Sequence, residues 1–141
     1  MTTAADIMRP GAHWIPADET LDRAAQLMRE HGVGALPVSD PMDPDDRMCG
    51  MITDRDIVIM CVAAGHDPSH VTAGELCRGT PRWIASSAGV GDVLREMETN
   101  QIRRLPVIDD DRRFVGMISE ADLAHFLSDE QLATFVERVY A

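Results

Sequence analysis

Two hydroxyl–carboxylate pairs at one spacing are the residues of this chain best placed to do chemistry. Thr53 precedes Asp56 by three positions and Ser119 precedes Asp122 by three. Each pair lies in a matching octet, Gly50-Met51-Ile52-Thr53-Asp54-Arg55-Asp56-Ile57 and Gly116-Met117-Ile118-Ser119-Glu120-Ala121-Asp122-Leu123. A glycine, two apolar residues and a hydroxyl side chain read as a short strand entering a helix with Thr53 or Ser119 at the N-cap. There the hydroxyl can accept from an otherwise unpartnered first-turn N–H. One turn in, Asp56 or Asp122 projects near the same mouth. A hydroxyl and a carboxylate converging there can hold the hydroxyls of a sugar, and the same atoms equally make a plain helix cap with a first-turn acid.

A second group of chemically able residues is Cys61, His66, His70 and Cys77. Two thiolates and two imidazoles are the donors of a closed, tetrahedral structural zinc site. Zinc is therefore an expected cofactor, with Cys49 able to replace one thiolate. Spacings of four, three and six intervening residues fit zinc loosely and match no finger signature. The cysteines also fit burial, because Cys61 sits in an apolar run and Cys77 aligns with Met8.

The elements that must position these groups come twice. Sliding the chain by 69 positions lays Trp14-Ile15 on Trp83-Ile84, Met28 on Met97 and Leu36-Pro37-Val38 on Leu105-Pro106-Val107. The offset then falls to 66, because the first copy has three extra residues in its Asp40–Arg47 loop, which carries Asp40, Asp43, Asp45 and Asp46. Two copies of a unit of about 55 residues thus fill most of the chain, and a unit that small needs a partner to cover it.

Per copy the pattern predicts a helical lead-in (Ala4–Met8 and Thr72–Cys77), a short strand (His13–Pro16 and Arg82–Ala85) and an amphipathic helix. Leu21, Ala24, Ala25 and Met28 line the first such helix, and Val90, Val93, Leu94 and Met97 the second. These helices stop at Gly32 and near Asn100. Strands Ala35–Val38 and Arg104–Ile108 follow, each with a proline that favours an edge position. The octet strands then lead into helices over Asp54–Ala64 and Glu120–Leu127. The expected organisation is unit 1 over 4–65, a linker over 66–71, unit 2 over 72–127 and a C-terminal helix over 128–141. In that last helix Ser128 and Gln131 can form a capping box. Its apolar face of Leu132, Phe135, Val136 and Val139 needs cover from the rest of the chain or from a second subunit.

Composition narrows the function classes. A net charge of −11 with no basic stripe argues against nucleic acid and against an anionic membrane surface. The start of the chain lacks a basic region followed by an apolar core, and the longest apolar run, 57–64, is too short to span a bilayer. This fits a cytoplasmic protein, or one exported without a leader. Three cysteines make no disulfide framework. Nucleophilic catalysis needs a Ser or Cys with a base held by a third group, and His13, His31 and His125 stand isolated, so the expectation is a non-enzyme.

The paired β-α-β-β-α unit, with Leu-Pro-Val before the loop and Gly-apolar-apolar-Thr/Ser-x-x-Asp after it, resembles the tandem CBS domain, or Bateman module, over residues 4–127. The resemblance implies an α+β fold of two units packed face to face about a pseudo-twofold axis, often in homodimers. It also implies clefts that take an adenosine nucleotide as a regulatory ligand and an output passed to a partner protein. Asp56 and Asp122 match the aspartates that hold ribose hydroxyls, and Thr53 and Ser119 the residues at the helix mouth. Arg103 and Arg104 stand where the family places a basic residue that reaches phosphate. The first copy departs from that pattern, with Gly34 and Ala35 at the matching positions.

Overall fold

The computed structural model of the protein describes residues 1–11, 13–44, 47–77 and 82–140. In chain order it contains α1 (Ala4–Ile7), β1 (Arg9–Pro10), β2 (Ile15–Pro16), α2 (Leu21–His31), β3 (Ala35–Ser39), β4 (Met48–Thr53) and α3 (Asp54–Ile57), which runs on as a π-helical turn over Val58–Val62. Then come α4 (Ala73–Leu76), β5 (Ile84–Ala85), α5 (Val90–Asn100), β6 (Arg104–Ile108), β7 (Phe114–Ser119), α6 (Glu120–Leu123) and α7 (Asp129–Val139). Asp45 and Asp46 of the acidic loop lie outside the described residues.

The chain forms two compact bodies, His13–Pro81 and Met1–Ala12 with Arg82–Ala141. Each is built on the same sheet. In the first body β2 pairs parallel with β3, and β3 antiparallel with β4, with Leu36 opposite Ile52 and Val38 opposite Gly50. In the second body β5, β6 and β7 repeat this, with Leu105 opposite Ile118 and Val107 opposite Gly116. Both antiparallel ladders carry a register shift at the matching place, Val38/Ser39 and Val107/Ile108.

The prolines depart from expectation, because β3 and β6 are central strands and not edges. The reason lies in the length of the flanking strands. β2 pairs only with Val38 and Ser39, and β5 only with Val107 and Ile108. Pro37 and Pro106 therefore sit just before the parallel pairing starts, where a missing N–H leaves no ladder bond unmade on that side.

Each body has its own apolar core. Leu21, Ala24 and Met28 of α2 pack with Ile15, Leu36, Val38, Ile52 and Ile57, while Ala25 faces solvent. Val93 and Met97 of α5 pack with Leu105, Val107, Ile118 and Leu123. Gly32 closes α2 in the left-handed region, and Gln101 does the same for α5 one residue beyond the expected stop. The C-terminal helix α7 is covered within its own body. Phe135 and Val139 are buried in the second core, and only Val136 and Tyr140 remain exposed on that side.

The lead-ins were not foreseeable as placed. As repeats they open units 1 and 2, yet as packed segments they are exchanged. Ala4 and Ile7 of α1 are buried in the core of the second body, and the Ala4 N–H donates to the carbonyl of Ala88 at 2.7 Å. Ala73 and Leu76 of α4 are buried in the core of the first, and the Ala73 N–H donates to the carbonyl of Glu19 at 2.8 Å. β1 extends the exchange by pairing antiparallel with β7, Pro10 opposite Gly116.

Candidate functional site

Both octets fold as strand-to-helix mouths because the apolar residue before the hydroxyl, Ile52 or Ile118, is fully buried and fixes the strand face. At the first mouth the Asp56 N–H donates to Thr53 Oγ1 at 3.1 Å and the Thr53 N–H donates to Asp56 Oδ2 at 2.9 Å. At the second, the Ser119 N–H and hydroxyl each donate to Asp122 Oδ2 at 2.9 Å, and the Asp122 N–H donates to Ser119 Oγ at 3.3 Å. The hydroxyl and carboxylate of each pair do converge, and they do so as reciprocal capping boxes that use one carboxylate oxygen apiece. Helix α6 stops at Leu123, shorter than expected, because His125 and Phe126 take tight turns back to Asp122 and Leu123 before Ser128 caps α7.

The mouths differ in what meets the second carboxylate oxygen. Arg9 Nε donates to Asp122 Oδ1 at 3.0 Å, with the Asp122 side chain 10% exposed. Sequence reasoning missed Arg9. Its signal was the repeat itself, since the offset of 69 lays Arg9 on Arg78. Arg78 lies outside the described residues, and among those residues Asp56 Oδ1 has no hydrogen-bond partner.

The two arginines expected to reach phosphate also separate. Arg103 is exposed and turned to the C-terminal helix, its guanidinium 5.2 Å from the ring centre of Tyr140 and donating to the Tyr140 hydroxyl at 3.3 Å. That bond holds the Arg103 pKa above its ordinary value. Tyr140 donates in turn to Glu120 Oε1 at 2.8 Å. Arg104 stands on β6 directly opposite Ser119 and makes no ion pair among the described residues. At the first mouth Ala35 takes that place opposite Thr53.

The four expected zinc ligands do not come together. Cys61 is fully buried in the first core, where its S–H donates to the His66 carbonyl at 3.5 Å. The rings of His66 and His70 are exposed on the connecting segment, with His70 Nδ1 3.9 Å from Asp67 Oδ2. Cys77 lies against Gly50, next in the strand to Cys49. Among the described residues no three His, Cys, Asp or Glu side chains are disposed to hold a metal ion. The physical reason is that the π-helical turn directs Cys61 inward while the histidines sit on an exposed link, so adjacency in sequence does not become adjacency in space.

The model of the CBS domain family matches the chain twice, over residues 4–62 and 73–129. The chain is a CBS-domain protein. It is 47% identical over 139 residues to hypoxic response protein 1 of Mycobacterium tuberculosis, an alignment covering 99% of this chain and 94% of that one. A crystal structure of hypoxic response protein I with two coordinated zinc ions matches with a TM-score of 0.78 at 47% identity, covering 90% of this chain and all of the other. A CBS domain protein of Pyrobaculum aerophilum complexed with AMP matches with a TM-score of 0.77, covering 96% and 99%, and at 19% identity it shows the fold alone. The small partners expected from sequence, zinc and an adenosine nucleotide, thus both occur among structures with this CBS fold. No helix among the described residues of this CBS pair is long and apolar enough to cross a membrane.

Proposed function

We propose that this protein is a stand-alone regulatory CBS pair that senses an adenosine-type nucleotide at its strand-to-helix mouths and passes the change to another chain. Asp56 and Asp122 hold ribose hydroxyls through the carboxylate oxygen not consumed by the cap, Thr53 and Ser119 set the mouths, and Arg104 answers the phosphate. The observation that carries this reading is Arg104, whose place on β6 is directly across the ladder from Ser119 and which has no carboxylate partner among the described residues. An arginine without an ion pair, carried across the ladder from a hydroxyl–carboxylate pair, suits a phosphorylated sugar. Asp122 takes a ligand by exchanging its bond to the exposed Arg9. Arg103 serves the C-terminal helix instead. The relative's hypoxic-response name supports a setting in stress. Its zinc supports a metal in this chain too, although Cys61, His66, His70 and Cys77 form no cluster among the described residues.

Calorimetric titration with AMP, ATP and an S-adenosyl ligand tests the reading. Binding that weakens at least about tenfold in both Asp122→Ala and Arg104→Ala is expected, since each removes a charge-assisted hydrogen bond worth about 1.5–3 kcal/mol. No heat with any of the three, or affinity indifferent to both substitutions, refutes it.

A second reading has its own support. Both acid–hydroxyl pairs are already closed on themselves, and α7 leaves Val136 and Tyr140 exposed beside Ala121, Ala124 and Leu132. These features suit a homodimeric interaction protein that has kept the fold without the ligand.

A further inference from the structure

Cys49 and Cys77 pack against the same core in a place where the other repeat has no cysteine. Cys49 lies on β4, one residue before Gly50, and Cys77 caps α4. A Cβ added to Gly50 would overlap Cys77 Sγ, so that sulfur rests directly on the strand backbone beside Cys49. The two thiols are near enough for each to perturb the pKa of the other. Both thiols are free and only partly buried, in contrast to Cys61, which is sealed in the core.

The internal repeat acts as a control. The offsets of 69 and 66 lay Cys77 on Met8 and Cys49 on Val115, and a Cβ on Gly116 would likewise meet Met8. Met8 and Val115 pack as ordinary apolar residues against the second core. The contact between lead-in and strand therefore needs no sulfur chemistry for packing, yet in the first body both of its members are cysteine.

We propose that Cys49 and Cys77 are a redox-active dithiol that closes to an intrachain disulfide by exchange with a low-molecular-weight disulfide. The Cys49 thiolate attacks one sulfur of the reagent and expels one small thiolate. The Cys77 sulfur then attacks Cys49 in the mixed disulfide and expels the second. Two protein thiols are oxidised, one disulfide is reduced to two thiols, and the two protons leave with them. Asp56 lies close enough to Cys77 to raise its pKa, so the bond forms beside one of the two mouths.

The full chain, reduced and then incubated with oxidised glutathione, is quenched by alkylation and mapped by mass spectrometry without reduction. A Cys49–Cys77 linked peptide is expected in the parent chain and in Cys61→Ser, with Cys61 alkylated only after denaturation. Cys49→Ser and Cys77→Ser, each checked for native circular dichroism, lose the link and instead keep a glutathione adduct or a free thiol on the remaining cysteine. A link through Cys61, cross-linked pairs of chains, separate glutathione adducts on both cysteines, or free thiols after an incubation that fully oxidises dithiothreitol overturns the proposal.

Discussion

Substituting Gly50 and Gly116 by alanine tests how the exchanged lead-ins are seated, and the two sites should respond differently to rescue. At Gly50 the added Cβ meets the Cys77 side chain and no backbone. Overfilling a packed contact costs about 1–3 kcal/mol, against a gain of about 0.4–1 kcal/mol from a stiffer unfolded chain, so a net loss of about 1–2 kcal/mol follows. For a chain between the sizes for which such shifts are tabulated, that is a drop of about 3–10 °C in Tm. Removing the obstructing sulfur with Cys77→Ala should absorb the clash, so the double variant is about 1–2 kcal/mol more stable than the sum of its parts. At Gly116 the Cβ meets Met8 and also the carbonyl oxygen of Arg9 at 2.7 Å, an atom held by the pairing of β1 with β7. Met8→Ala therefore cannot rescue Gly116→Ala. Urea unfolding followed by circular dichroism under reducing conditions reads all six variants. If Gly50→Ala costs as much in the Cys77→Ala background as in the parent chain, or if Met8→Ala restores Gly116→Ala, the seating argued here is wrong.

Two other outcomes follow from the packing and the thiols. Phe135→Ala should lose about 3–5 kcal/mol in the same unfolding assay, because the ring is 1% exposed in the second core; a loss under about 1 kcal/mol would mean that α7 is an appendage. Burial pushes the Cys77 thiol from its ordinary 9.0 up to about 12. The unfolded chain then releases this proton first, so stability should fall as pH rises from about 9 toward 12, and Cys77→Ala should flatten that part of the pH–Tm curve. An unchanged slope in the variant would assign the loss to other groups.

Much of the scaffold was legible because it rests on local rules written twice. The buried face of α2, the glycine stop at Gly32, the Leu-Pro-Val strands and the octets each follow from spacing and turn chemistry, and repetition made each reading a check on the other. The hydroxyl–acid convergence was legible for the same reason, being a three-residue relation. What failed was everything that depended on which segment comes to lie beside which. Pro37 was misread because the length of β2 decides whether a central proline is tolerated. The Cys61–Cys77 set was misread because four residues close in sequence leave the backbone in different directions. Arg9 was invisible as a partner of Asp122, at a separation of 113 residues, until α1 was seen in the second body.

That exchange bears on how the protein is made. Everything in the body His13–Pro81 is contiguous in the chain and can close as soon as the ribosome has delivered α4. The first dozen residues belong to the other body, whose strands and helices have yet to be synthesised. During translation they are a loose thread, kept waiting for the rest of that body, residues 82–141. Joining residue 141 to residue 1 and opening the chain between residues 81 and 82 would turn each body into one uninterrupted stretch and abolish the wait.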